Sequence, residues 1–312
     1  MALRRTFREQ FNDLGFGNKV VEPNQRLMNR DGTSNVRRRG ISFFQSLSFY
    51  HELITMSWWK FNLMIFISYL TVNLIFSCLY FFGDIDNIGG MMAQTNFEKF
   101  MEAFFFSTQT LSTVGFGRLN PEGFFNSSVA AIESMTGLLG FALATGLLYG
   151  RFSRPVAKVI FSDHALVAPY RDMKALMFRF GNLRKSQLLE LEVEVNLSFV
   201  EEENGKPVRR FVQLDLERKR VAILSMTWTV VHPIDKNSPI VNWTSEDFEK
   251  NNCEVIIIVK AFEETFSQTV YARTSYKPDE ILCNVRFVPV IAAGPNGSVI
   301  IELDKIHDYE KV

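Results

Sequence analysis

Residues 61–82 read FNLMIFISYLTVNLIFSCLYFF, 22 positions without one formal charge. That run constrains the fold more than any other part of the chain. A helix rises 1.5 Å per residue, so the run reaches about 33 Å, enough to cross a hydrocarbon core of about 30 Å. Residues 124–149 form a second run of 26 positions with a single charge, Glu133, long enough to span with tilt. Uncharged stretches of this length are rare in soluble folds. Trp58, Trp59 and Lys60 open the first run in the manner of interfacial anchors. The first run starts too far along the chain for a cleaved leader of ordinary length. We therefore expect membrane spans at 59–82 and 124–150.

The basic residues give an orientation. Arg4, Arg5, Arg8, Lys19, Arg26, Arg30, Arg37, Arg38, Arg39 and Lys60 precede the first span, and Arg151, Arg154 and Lys158 follow the second. Between the spans stand only Lys99 and Arg118, against Asp84, Asp86, Glu98, Glu102 and Glu122. The positive-inside tendency then places both termini in the cytoplasm, in a multi-pass protein of the cell membrane, with residues 83–123 outside or re-entrant. Sequons at Asn126, Asn196, Asn242 and Asn296 fall in a span or a cytoplasmic part and read as chance matches.

The segment between the spans is too apolar for a plain extracellular loop. Residues 97–112, FEKFMEAFFFSTQTLS, suit a short helix, expected at 97–110, and lead into Thr113-Val114-Gly115-Phe116-Gly117. A helix that dips in and returns as non-helical chain is tolerated only where its backbone faces protein or a water-filled lumen. TVGFG resembles the selectivity-filter sequence of potassium channels. A K⁺ ion stripped of water needs oxygen ligands, and consecutive backbone carbonyls supply them when all point into a pore. Gly115 and Gly117 permit positive φ, and the Thr113 hydroxyl can serve as the innermost ligand. Val114 and Phe116 are expected to point away from the pore and pack against the short helix. K⁺ would be held at Thr113, Val114, Gly115 and Phe116. One chain supplies a quarter of each oxygen ring, so a homotetramer is expected.

In the second span Ser134, Leu138, Phe141, Thr145 and Tyr149 recur at spacings of 4, 3, 4 and 4. They form one stripe of a helix, either pore lining or a helix–helix interface. Gly137, Gly140, Gly146 and Gly150 lie on or beside it, where small residues allow close packing. Glu133 is either a functional carboxylate or a buried hydrogen-bonding partner of the filter scaffold. Ahead of the first span, Phe43, Leu47, Tyr50 and Ile54 recur at helical spacing opposite Gln45, Ser48, His51 and Glu52. An amphipathic helix at 43–57 would lie in the membrane interface, as an anchor or as a transmitter of motion.

From about residue 160 the period changes to two. KALMFRF, LLELEVEVNLSFV, RRFVQLDL, MTWTVVHPI, CEVIIIVKAF, TVYARTSY, VRFVPVI and SVIIELDKI read as strands between Asn-Gly, Lys-Pro and Pro-Asn-Gly turns, with one internal helix at 245–251. The pattern predicts an all-β sandwich of immunoglobulin-like type. His51, His164, His232 and His307 are scattered without ligand spacing, and Cys78, Cys253 and Cys283 suit neither a disulfide framework nor a zinc knuckle. We find no nucleophile–base pair and no phosphate-cradling loop, so an enzyme is not expected. The 34 basic residues equal the 34 acidic ones, which argues against a nucleic-acid surface spread over the protein.

The arrangement resembles the inward-rectifier potassium channel family in its prokaryotic branch. The narrower likeness comes from GFALATGLLYGRFSRP, from IFSDHALVAPY, from the H-x-I-D-x-x-S-P turn beginning at His232, and from Ala272-Arg273-Thr274-Ser275-Tyr276 with Glu280-Ile281-Leu282. The likeness covers roughly residues 43–306. It implies a membrane α-helical pore domain at 58–152, with two transmembrane helices and a re-entrant pore helix. An all-β immunoglobulin-like sandwich follows at 153–312, as a cytoplasmic vestibule continuing the pore, and residues 1–42 form an N-terminal cytoplasmic segment. It also implies an interfacial slide helix, a bundle-crossing gate at Tyr149 with Phe141 above it, and a narrow cytoplasmic loop of Ala261, Phe262, Glu263, Glu264, Thr265, Phe266 and Ser267. Anionic phospholipid of phosphoinositide type would act through basic residues near the inner leaflet. By the orientation above these are Arg37, Arg38, Arg39, Arg151, Arg154 and Lys158. Polyamines or Mg²⁺ would block the pore, and no cofactor is implied beyond K⁺ as permeant ion.

Departures from the family pattern are local. Gln109 stands where a glutamate commonly braces the filter, Arg118 directly follows the filter, Val156-Ala157 follow Arg154-Pro155 before Lys158, and Cys283 replaces a tryptophan. Acidic positions of strong rectifiers match Phe141 and Lys260. The expectation is a gated, passively conducting K⁺ channel with weak rectification. The alternatives are a poorly selective cation channel, or a membrane-anchored binding protein with a silent pore.

Overall fold

A computed structural model describes residues 25–36, 40, 49–153 and 157–312. They fall into two units, one helical (Gly40–Arg154) and one rich in strands (Met1–Arg39 with Pro155–Val312). Of the residues expected to meet lipid, Arg37, Arg38, Arg39 and Arg154 lie outside the described part, as do Phe43 and Leu47 of the lead-in.

The helical unit consists of α1 (Phe49–Thr55), α2 (Trp58–Asp84), α3 (Asn96–Leu111) and α4 (Gly123–Phe152). Among the described residues α2 and α4 are the helices long and apolar enough to cross a membrane. Each extends one or two residues beyond the expected span at either end. The lead-in helix ends earlier than expected. It stops at Thr55, because Ser57 takes an extended conformation (φ −61°, ψ 149°) before α2 begins. α3 starts at a reciprocal cap: the Glu98 N–H donates to Thr95 Oγ1, and Glu98 Oε2 accepts from the Thr95 and Gln94 N–H groups at 3.0 Å. Those backbone bonds hold the Glu98 carboxyl below its ordinary range.

A two-residue antiparallel ladder of β1 (Ile88–Gly89) with β2 (Asn120–Pro121) joins the chain before α3 to the chain after it. Asn126 ties the ends of both spans, its amide donating to the Asp84 and Asn87 carbonyls at 2.8 Å each. The three long helices share a core of Phe76, Tyr80, Ala103, Phe106 and Val129. Edge-on ring contacts of Tyr80 with Phe106 (5.0 Å) and of Phe81 with Phe100 (5.7 Å) seat α3 against α2.

In the strand-rich unit the chain forms two five-stranded sheets. One orders β11 (Gln268–Tyr276), β10 (Glu254–Glu263), β6 (Leu188–Glu203) and β7 (Lys206–Gln213), with β8 (Arg220–Leu224) also on β6. The other orders β12 (Ile281–Cys283), β4 (Ala165–Tyr170), β5 (Met173–Asn182) and β3 (Val159–Phe161), with β9 (Thr227–Ile234) also on β5. Alternate residues fill one shared core: Leu176, Phe178 and Phe180 from β5, Val193, Val195 and Leu197 from β6, and Val255, Ile257 and Val259 from β10. A short helix, α5 (Ser245–Lys250), adds the buried Phe248.

Several strands depart from the expectation. β3, β4, β8, β12 and β16 (Tyr309–Lys311) are additional. VRFVPVI splits into β13 (Val285–Phe287) and β14 (Ile291–Ala293), because Pro289 has no N–H to give a ladder. SVIIELDKI keeps a strand only over β15 (Val299–Ile301) and then turns tightly over Leu303–His307.

Residues 25–36 pack onto this unit. Arg26 grips Glu280 with two nitrogens at 3.0 and 2.9 Å, and Glu254 accepts the Leu27 and Met28 N–H groups at 2.7 and 3.0 Å. Met28 covers Ile256 and Phe211 on the outer face of the first sheet. The Ala272–Tyr276 motif receives the same segment, with Thr274 Oγ1 donating to the Arg30 carbonyl at 3.0 Å.

Candidate functional site

α3 delivers its C-terminal end to residues 113–117, and the turn there is set by hydrogen bonds to the helix's last carbonyls. The Gln109 carbonyl accepts the Val114 N–H at 3.0 Å and the Gly115 N–H at 3.4 Å, and the Thr110 carbonyl accepts the Thr113 N–H at 3.1 Å. Backbone φ is positive at every second residue: 60° at Thr113, 53° at Gly115 and 83° at Gly117. Gln109 thus holds this strand through its carbonyl. Val114 and Phe116 do not pack against α3 as expected. They are 55% and 79% exposed on the single chain.

Behind the turn, Glu133 is fully buried. Its Oε2 accepts from Tyr80 Oη at 2.7 Å and its Oε1 from Ser107 Oγ at 2.5 Å. Ser107 Oγ also lies 3.1 Å from Asn73 Oδ1, and Ser77 donates to the Asn73 carbonyl at 2.5 Å. One carboxylate therefore joins α2, α3 and α4. Gly137, one helical turn on, lets α4 touch the end of α3, since a Cβ there would overlap the Leu111 carbonyl. Asn73, Ser77 and Tyr80 were not singled out from the sequence, although their spacing of 4 and 3 makes a polar stripe in an apolar span.

On the far side of the turn, the Arg118 guanidinium lies 3.2 Å from Glu102 Oε1 and from the Gly90 carbonyl, while Glu102 Oε2 accepts the Met92 N–H at 3.1 Å. Glu102 was also missed. It lies seven residues before Gln109, on the same face of α3.

On α4, Leu138, Phe141, Thr145 and Tyr149 are exposed and Ser134 half-buried, with Phe141 at 76% and Tyr149 at 73%. Arg151 gives its terminal nitrogens to the Leu53 and Met56 carbonyls, while its buried Nε has no hydrogen-bond partner. Lys158 is exposed.

Residues 261–267 form the end of the β10–β11 hairpin, with Ser267 at φ 50°. Glu263 is buried and its Oε2 accepts the Phe266 N–H at 2.9 Å, whereas Glu264 and Lys260 are exposed. Beside the hairpin the register shifts between Lys260 and Phe262, and Glu190 takes φ 48° in the bulge. In the H-x-I-D-x-x-S-P turn, His232 is buried between the Asp215 carbonyl and Ser238 Oγ. A carbonyl can only accept, so Nδ1 carries the proton and Nε2 accepts from Ser238 at 2.8 Å. Burial pushes this imidazole below its ordinary pKa.

Two family profiles match consecutive parts of the chain: the inward rectifier potassium channel transmembrane domain over residues 28–155, and the inward rectifier potassium channel C-terminal domain over residues 159–312. The inward rectifier potassium channel Kirbac3.1 of Paramagnetospirillum magnetotacticum is 36% identical over 294 residues, covering 94% of this chain and 98% of its own. The G protein-activated inward rectifier potassium channel 2 of Pongo abelii is 27% identical over 312 residues, covering 92% of this chain and 72% of its own. The G protein-activated inward rectifier potassium channel 4 of Mus musculus is 26% identical, covering 93% and 74%. With two apolar helices of spanning length, a strand-rich C-terminal part and matches that run nearly end to end, this membrane protein belongs to the inward rectifier potassium channel family.

Proposed function

We propose that four copies of this chain assemble a potassium-selective channel whose filter is built from Thr113, Val114, Gly115, Phe116 and Gly117. The observation that carries this reading is the backbone at these residues, with positive φ at 113, 115 and 117 directly beyond the C-terminal end of α3. Carbonyls in such a strand can turn to one side, where they replace the water lost by K⁺. The partial negative charge at the end of α3 favours a cation there as well. The exposed Val114 and Phe116 are the surfaces that a second copy would cover.

In this reading α3 is the re-entrant pore helix, and Glu133, Ser107 and Tyr80 with the Gln109 carbonyl hold it in place. Ser134, Leu138 and Thr145 line the inner path, and Phe141 and Tyr149 close it. Both termini are cytoplasmic in a multi-pass protein. The strand-rich unit is an immunoglobulin-like sandwich, and the tip of its β10–β11 hairpin is the cytoplasmic constriction. Anionic phospholipid modulates flux through basic residues at the inner leaflet, with Arg151 and Lys158 among those described. The likeness to Kirbac3.1 over 94% of the chain supports potassium as the permeant ion.

The test is tracer uptake into liposomes containing the purified protein. Rb⁺ entry driven by trapped K⁺, competed by external K⁺ and not by Na⁺, is the expected result. Equal competition by the two ions overturns potassium selectivity, and no uptake at all overturns a conducting pore. Chemical cross-linking in the same vesicles should end at a four-chain species.

A further inference from the structure

Two basic residues stand between the spans, Lys99 and Arg118, and each has an acid of its own. Lys99 Nζ lies 2.6 Å from Asp86. Arg118 comes directly after Gly117, and both its terminal nitrogens stand 3.2 Å from Glu102 Oε1. Glu102 projects from the middle of α3, and its side chain is 17% exposed against 50% for Arg118. Its other oxygen accepts the Met92 N–H at 3.1 Å, and Arg118 also donates to the Gly90 carbonyl at 3.2 Å.

The backbone around the pair is held closely. Gly90 takes φ 78°, and a Cβ there would overlap the Arg118 carbonyl. Leu119 is buried in the core with Ile88, Tyr80 and Phe106, and β1 pairs with β2 just beyond. The chain path is thus fixed by packing and by the ladder, without help from the ion pair. A half-exposed pair contributes little to stability. Its consequence is electrostatic, because it stands beside the last residue of the 113–117 turn.

We propose that Glu102 sets the charge at the outer mouth of the pore, by pairing with Arg118 so that a ring of four guanidinium groups does not repel K⁺ arriving from outside. The proposal rests on the reading of residues 113–117 as the filter of a four-chain assembly. With Glu102 neutral, each copy leaves a positive charge beside the entering ion, and the local K⁺ concentration falls. With Arg118 neutral, each copy leaves a negative charge, and K⁺ is concentrated there. With both neutral, the mouth has the net charge of the parent. The pair governs the rate of entry, and selection between ions stays with the filter.

Single-channel recording in planar bilayers at about 0.01 M and about 1 M K⁺ tests this, since the Debye length falls from about 30 Å to about 3 Å between them. At the lower salt Glu102→Gln should reduce inward unitary conductance about threefold, within the range of field effects on ion entry. Glutamine keeps an oxygen for the Met92 N–H. Arg118→Gln should raise the conductance by a similar factor, and the double variant should match the parent. At the higher salt all these channels should conduct alike, with the K⁺/Na⁺ permeability ratio unchanged throughout. External Ba²⁺ carries twice the charge, so its block at the lower salt should weaken about ninefold in Glu102→Gln, the square of the effect on K⁺. Two single variants that shift the same way mean that the pair is only a brace, and overturn the proposal. A loss in Glu102→Gln that persists at the higher salt overturns it as well. Should Glu102→Gln fail to assemble, Arg118→Gln decides alone: its conductance rises at the lower salt, and a parental or lower value overturns the proposal. A parent channel without selective K⁺ current overturns the filter reading, and the proposal with it.

Discussion

Gly115 sits at φ 53° with no atom within 4 Å of where a Cβ would stand. Replacement by alanine therefore meets no clash within the chain, and its cost is conformational, about 1–2 kcal/mol per copy for a left-handed residue. In an assembly of four that strain recurs at each carbonyl of one ring. Gly115→Ala should assemble normally and lose discrimination between K⁺ and Na⁺ in tracer competition; retained discrimination removes this residue from the filter. Glu133 presents a different kind of dependence. Its carboxylate accepts two hydroxyl donors in a buried place, so Glu133→Ala leaves Tyr80 Oη and Ser107 Oγ without it. Ser107 Oγ keeps the Asn73 oxygens as acceptors, whereas Tyr80 Oη loses its partner, and a buried donor left unpaired costs about 1–3 kcal/mol. Thermal dissociation of the detergent-solubilised assembly should shift several degrees lower, with K⁺ flux lost before dissociation. An unshifted melting curve in Glu133→Ala means that the cluster does not hold α3. Much of this cluster is legible in the sequence as a lone carboxylate in one span and a polar stripe in the other. The Arg118–Glu102 pair is not legible, because it depends on the path the chain takes around α3.

At the scale of elements, the long helices fall within two residues of where uncharged runs place them, since length and apolarity suffice to specify a span. The long strands β5, β6 and β10 are equally plain. Short strands are not: β4 contains Pro169 in ALVAPY, and β8 has only five residues. The continuous apolar run of β10 reads as a strand buried on both faces. What covers its outer face cannot be read, because residues 27 and 28 dock by backbone N–H groups on Glu254, at separations of 227 and 226 residues. The turn that begins at His232 carries a pH dependence. Its imidazole is buried neutral with a depressed pKa, so the unfolded chain binds the proton more readily just below the ordinary value of about 6.5. The stability this residue contributes is present above about pH 6.5 and is lost as pH falls towards the depressed value. Unfolding of the strand-rich unit, followed by near-ultraviolet circular dichroism, should shift to lower temperature between pH 7.5 and 5. The shift should be smaller in His232→Asn. An equal shift in that variant assigns the pH dependence to other groups.

At the scale of the whole molecule, the question is which acidic side chains each unit offers to a positively charged blocker of the proposed pore. Block of outward current by polyamines requires acidic side chains that face the permeating ion. In the helical unit the proposed pore stripe offers Phe141, an exposed apolar ring, while Glu133 is buried and occupied by Tyr80 and Ser107. In the strand-rich unit Lys260 is exposed and would repel a polycation. Of the two glutamates at the end of the β10–β11 hairpin, Glu263 is 2% exposed, and its carboxylate is engaged by the Phe266 N–H. Only Glu264 of that pair faces solvent. The channel should therefore rectify weakly for a member of its family. Internal spermine should reduce outward current shallowly with voltage in excised patches, and Phe141→Asp should deepen the block by placing four carboxylates on the stripe. Lys260→Glu should add to it independently, because the two positions lie in separate units. Steep spermine block of the unmodified channel would mean that another acidic ring lines the path, with Glu190 and Glu192, beside Lys260 on β6, the first residues to replace in finding it.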